Sequence, residues 1–186
     1  MQPGAGSDRI SALEGSAMKT AFRITRNLLA AIYSDLSRPH PFAAERVGFI
    51  SCAVGDLPGH GLVLLAQDFH PVADRDYVDN PTVGAMMGSA AIRSALQLAY
   101  NQQVSMFHVH RHEHDGRPWF SRVDLRESAR FVPDFWKVRP GFPHGAIVLS
   151  HDSMAGLCWD PQKGSPSPIS EMSVVGQHLS TIREKA

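Results

Sequence analysis

Val104–Asp124 reads VSMFHVHRHEHDGRPWFSRVD, and four of the chain's ten histidines, His108, His110, His112 and His114, fall within seven of its residues. Val104-Ser105-Met106-Phe107 predicts a short apolar strand, and on a strand residues i and i+2 share a face. His108 and His110 then stand side by side at the strand's end. Beyond a Gly116-Arg117-Pro118 turn, Ser121-Arg122-Val123-Asp124 leads into a helical run. Ser-x-x-Asp in front of a helix is first of all a capping box, a structural device. Two neutral imidazoles and a carboxylate also make a three-ligand set that leaves a fourth zinc position open. The two readings are compatible, because a capped aspartate has a fixed main chain. His112 and His114 compete for the ligand role. The strand terminus favours His108 and His110, so alanine at either is expected to lose zinc, and alanine at His112 or His114 to retain it.

Upstream, Ser89 is a credible helix N-cap, with Ile92, Ala95, Leu96 and Ala99 repeating at helical spacing behind it. Asp68–Gly88 has no periodicity and carries Asp74, Asp76, Tyr77 and Asp79. A loop of about twenty residues inside a domain is more often functional than idle. The apolar runs from Val47 and over Leu62–Ala66 flank the turn signal Asp56–Gly61 and predict a hairpin. Glu45 sits at the leading edge of the first run. A glutamate is solvated by default; it becomes a candidate general base once a zinc site needs a group to take a proton from water. Leu28, Leu29, Ile32 and Leu36 predict a helix stopped by Pro39 and Pro41.

Downstream, Leu125–Val132 is helix-compatible and closed by Pro133. Gly145–Ser150 and Met154–Trp159 predict a hairpin around His151-Asp152-Ser153. Asp160–Pro168 reads as a loop and Met172–Leu179 as a last edge strand. Met1–Ala17 is small and polar and is expected to be a flexible leader outside the fold. The order α-β-β-loop-α-β-α-β-β predicts an α/β (α+β) domain over residues 18–186, a mixed sheet flanked by helices. Eighteen basic and eighteen acidic residues give a formal charge of zero, which argues against a nucleic-acid partner. The apolar runs are too short for a membrane span. Cys52 and Cys158 lie in apolar runs, as a reduced, buried pair in a cytoplasmic protein would. His60, His70, His144, His151 and His178 have no partner pattern and read as surface or loop residues.

Taken together, Glu45 before Val47-Gly48-Phe49-Ile50, then a helix, then a strand ending His108-Val109-His110, then Ser121-Arg122-Val123-Asp124, resembles the signature of the JAMM (JAB/MPN, Mov34-like) zinc metalloproteases. The resemblance runs from Leu28 to Trp159 and is nearest the compact prokaryotic branch. It implies an MPN/JAB (cytidine-deaminase-like) fold, with one Zn²⁺ held by His108, His110 and Asp124. Glu45 would be the general base toward water, and Ser121 would donate to the developing oxyanion. The implied reaction is hydrolysis after the C-terminus of a ubiquitin-like protein, in a pathway with E1-like or E2-like enzymes. Two departures stand out. Arg111 replaces the proline that follows the family's second histidine. The spacer to Ser121 is ten residues from His110, longer than the family's; from His112 it is eight and from His114 six. The rival readings are a non-catalytic scaffold of the same fold and a zinc hydrolase of a small amide or sulfur-carrier adduct.

Overall fold

A computed structural model of the chain describes residues 19–57, 61–162 and 165–176. Val47–Leu57 (β2) and Gly61–Pro71 (β3) form the expected antiparallel hairpin, with one register shift between Ser51 and Cys52. Ser105–Arg111 (β4) lies antiparallel on the other side of β2, Phe49 facing His108 and Val47 facing His110. His144–Leu149 (β5) runs parallel to β4 and turns back into Met154–Trp159 (β6). Thr20–Thr25 (β1) is parallel to β3, and Glu171–Val175 (β8) is parallel to β1. Pro166–Pro168 (β7) borders β6. Among the described residues the order is β7-β6-β5-β4-β2-β3-β1-β8, a mixed sheet. No helix among them is long and apolar enough to cross a membrane.

Helices cover both faces, and the period-two rule decides which side chain goes where. Arg26–Leu36 (α1), capped by the Thr25 hydroxyl, sends Ile32 and Leu36 onto one face, against Phe22, Ile50, Leu64, Phe107 and Val109. Ser89–Gln102 (α2), Arg122–Phe131 (α3) and Phe135–Val138 (α4) pack on the opposite face with Val47, Phe49 and Met106. The inward stripe of α2 is Ala91, Ala95 and Ala99, small enough for a close approach to the sheet, with Ile92 and Leu96 filling its flanks. Phe107 and Val109 therefore belong to the α1 face, while Met106, His108 and His110 point to the α2/α3 face.

Several elements differ from the sequence expectation. β1 is not among the predicted elements: it lies between β3 and β8, with Phe22 and Ile24 buried and Arg23 and Thr25 exposed, an alternation of only four residues that runs straight into α1. β3 extends through Pro71, and a 3-10 turn occupies Asp74–Asp76, so the irregular segment is shorter than Asp68–Gly88. Gly88, not Ser89, is the N-cap of α2. α3 ends at Phe131, ahead of Pro133 as expected, but the chain continues through a 3-10 turn at Val132–Asp134 into α4, whose Phe135 is a core residue. His144 is fully buried rather than superficial: Met106 N–H donates to its Nδ1 at 3.0 Å, and its ring stacks on Phe135. The leader, the Pro58–His60 tip, His178 and the end of the predicted last strand lie outside the described residues.

Candidate metal centre

β4 is longer than its apolar residues suggested, and this moves the strand's end past His108. The strand runs through Arg111, and His112 N–H still donates to Leu149 O at 2.9 Å. The alternation therefore persists one residue further, and three imidazoles stand in a row on one face. Their ring centroids are 5.6 Å apart from His108 to His110 and 4.9 Å from His110 to His112. All three line one cleft, with His110 the most deeply buried of them. His108 packs edge-on against Phe49 and Phe131, and neither of its ring nitrogens has a partner among the described residues. Burial drives its pKa down to about 3, so it is a neutral imidazole with two unmet hydrogen-bonding atoms.

His110 and His112 meet instead. Their Nε2 atoms are 3.2 Å apart, and Asp124 Oδ2 lies 3.5 Å from the first and 3.7 Å from the second. Glu45 offers a carboxylate oxygen within 4.8 Å of a nitrogen of each histidine. His108, expected as the first ligand, is not brought into this cluster; His112, the competing candidate, stands in its place. The physical reason is strand length. His108 turns its ring edge-on to Phe49 and Phe131, whereas His110, itself buried, has its Nε2 facing His112 and Asp124 one step further along the strand.

The start of α3 fixes the aspartate. Ser121 Oγ accepts from Asp124 N–H at 3.1 Å, and Asp124 Oδ2 accepts from Ser121 N–H at 2.7 Å, a complete capping box. Burial alone would raise the Asp124 carboxyl. The His110 imidazole and the Ser121 donors overcome this and hold it well below the usual carboxylate range. Ser121 Oγ accepts in the box, and its own O–H can turn either to the Asp124 carboxylate or to an oxygen in the cleft.

Glu45 arrives from the segment before β2, which an ion pair secures. The buried Arg46 guanidinium donates to Asp74 Oδ1 at 2.7 Å and to the carbonyls of Arg38 and Pro39 at 2.8 and 2.9 Å. Tyr77 OH accepts from Val47 N–H at 2.8 Å and so pins the following loop to the same strand. Burial raises the Glu45 pKa, with the nearby His110 working against it. The loop Asn80–Met87, α3 and the three histidines enclose a cleft of about 540 Å³ that has Glu45 and Asp124 in its wall. Val83, Met86, Met87, Ile92 and Val123 give it an apolar side, and Arg126, Glu127 and Arg130 a charged rim in which Glu127 pairs with both arginines.

No protein-family model matches the chain, and no curated protein matches it. Among solved structures it is similar to the Trichoplax adhaerens STIL N-terminal domain, with TM-score 0.36 and 7% identity over 73% of this chain and 40% of that one. The chain thus spans well under half of that domain's length, and a likeness of this order carries no argument about fold family or function.

The donor set suits zinc. Ligands at 2.0–2.1 Å in a tetrahedral arrangement stand about 3.3 Å from one another, and the His110, His112 and Asp124 atoms are 3.2, 3.5 and 3.7 Å apart. Two imidazoles and one carboxylate are the ligand types of open catalytic zinc sites, whereas the described cysteines are buried elsewhere.

Proposed function

We propose that the chain is a zinc-dependent peptidase or isopeptidase of JAMM type, acting on the C-terminus of a ubiquitin-like protein or its conjugates. The observation that carries the reading is the His110–His112–Asp124 triangle with the raised-pKa Glu45 carboxylate beside it. His110, His112 and Asp124 would hold the ion. Zinc at such a site supplies Lewis acidity and makes water acidic enough to yield a nucleophile near neutral pH.

The chain's own residues supply the rest. Glu45, kept basic by burial, takes the proton of the attacking water and delivers it to the leaving amine. Ser121 directs its O–H at the oxygen on which charge develops, a contribution that grows only in the transition state. The capping box does double duty, since it orients both the Ser121 donor and the Asp124 ligand. His108 lies behind this constellation, against the aromatic core. The choice of His110 and His112 also shortens the spacer to Ser121 from ten residues to eight, nearer the family pattern.

The test is metal content together with cleavage. Purified protein should hold about one zinc, and a ubiquitin-like protein fused through its C-terminal glycines to a fluorescent reporter should be cut. Glu45→Gln should keep the metal and lose at least about 100-fold in kcat, the usual scale of a general base. Retained cleavage in that variant would remove the mechanism. A specific observation favours one other arrangement: Glu45 is close enough to both histidines to be a ligand itself. In that case Glu45→Gln sheds zinc and Asp124→Asn keeps it.

A further inference from the structure

Glycine at position 84 is not required by its backbone. Its φ lies outside the positive range that favours glycine, unlike Gly61, Gly116, Gly141 and Gly176. What it lacks is room. A Cβ placed on Gly84 would stand 2.9 Å from Glu45 Cδ and 3.1 Å from each of the Glu45 carboxylate oxygens. The same two residues are joined through the main chain, since Glu45 N–H donates to Gly84 O at 3.0 Å. The loop's main chain is therefore laid flat against the carboxylate.

The loop is built to hold that position. Its base is a Tyr77–Met87 bridge, with Val78 N–H donating to Met86 O at 2.8 Å and Gly88 N–H to Asp76 O at 2.7 Å. Its turn is fixed by Asn80 Oδ1, which accepts from Thr82 Oγ1 at 2.7 Å and from Thr82 N–H at 3.1 Å. Tyr77 anchors the base to Val47, two residues beyond Glu45. Loop and glutamate are thus fastened to each other at both ends.

The geometry points to Gly84 as a positioning residue: its bare main chain forms the wall that sets where the Glu45 carboxylate stands relative to the His110–His112–Asp124 corner. This rests on the peptidase reading for its consequence, although the contact itself does not. Because the atoms that a methyl group would meet are the far end of a flexible side chain, the carboxylate would swing away at little cost to folding. The effect should fall on chemistry, where a displacement of about 1 Å can cost about 100-fold.

Gly84→Ala is the decisive variant, and Gly84→Ser repeats it with a second small side chain. Each should bind one zinc, melt within about 2 °C of the parent, and lose about 100-fold in kcat on the reporter fusion with KM changed less than about threefold. In the Co²⁺-loaded protein the visible absorption should change as it does in Glu45→Gln. Adding Gly84→Ala to Glu45→Gln should change neither spectrum nor rate further, because both act through one carboxylate. An unchanged kcat, a loss confined to KM, or a further spectral change in the double variant would overturn the inference. If the parent protein cuts nothing, the peptidase reading falls, and the cobalt comparison alone still decides whether Gly84 places Glu45.

Discussion

His108 shows how a residue's chemistry depends on which neighbours its ring meets. It shares a strand face with His110 and His112, but its nitrogens, beside Phe49 and Phe131, have no hydrogen-bond partner among the described residues. A buried group left unpaired costs about 1–3 kcal/mol. Replacing it by phenylalanine should therefore retain zinc and stabilise the protein by about 1 kcal/mol at neutral pH, while His110→Ala, His112→Ala and Asp124→Ala should each lose the metal. The acid response has a definite sign. Burial lowers the pKa of His108 from 6.5 to about 3 and that of His144 to about 4. Between those values and 6.5 the unfolded chain takes protons that the folded chain refuses, so stability falls as pH drops through that window. Each such histidine contributes up to about 1.4 kcal/mol per pH unit. Urea denaturation of the parent and His108→Phe at pH 7 and pH 5 should show a gap that widens in acid. A constant gap, or zinc loss in His108→Phe, would contradict this account.

At the scale of elements, the segment between β4 and α3 is held by the β5–β6 turn. His151 Nε2 lies 3.0 Å from Glu113 Oε2 and its Nδ1 3.1 Å from Asp115 Oδ1. Both ring nitrogens can donate only in the imidazolium, and the Glu113 bond, then the Asp115 bond, raise the His151 pKa above 6.5. Gly116, at φ 81°, turns the chain so that its N–H donates to Asp152 Oδ1 at 2.7 Å and its carbonyl accepts from Ser150 Oγ at 2.6 Å. His114 stacks on Trp119 at 4.6 Å, and Arg111 pairs with Glu113. This stapling keeps His112, one residue past β4, in strand phase. Since the folded pKa is raised, the His151 contribution is complete below pH 6.5 and disappears as pH climbs through the folded value. Thermal melts of His151→Gln between pH 6 and pH 9 should lack that alkaline decline, and its zinc affinity should be about tenfold weaker by chelator competition, as for other groups that orient a ligand. Parent-like affinity would show that His112 needs no staple.

Across the whole molecule, the candidate centre joins three segments that are distant in the chain: the approach to β2, the end of β4 and the start of α3. A ligand that binds only the folded form adds about 2.7 kcal/mol at 100 times its Kd. Zinc at saturating concentration should therefore raise Tm by several degrees, and chelation should reverse the rise. Asp124→Asn should respond to neither, which differential scanning fluorimetry would reveal. The chain read alone supplied the β2–β3 and β5–β6 hairpins, the helical stripe of α2 and the Ser121–Asp124 cap, because each depends on local periodicity or turn chemistry. It did not supply β1, whose alternation is confined to Phe22–Thr25 directly ahead of α1, nor His144, whose partners come from β4 and α4. Which two of four histidines converge was likewise beyond it. Alternation assigns His108, His110 and His112 to one face, but only the packing of Phe49 and Phe131 against the first, and of α3 beside the other two, separates an imidazole walled by aromatic rings from a pair whose Nε2 atoms meet.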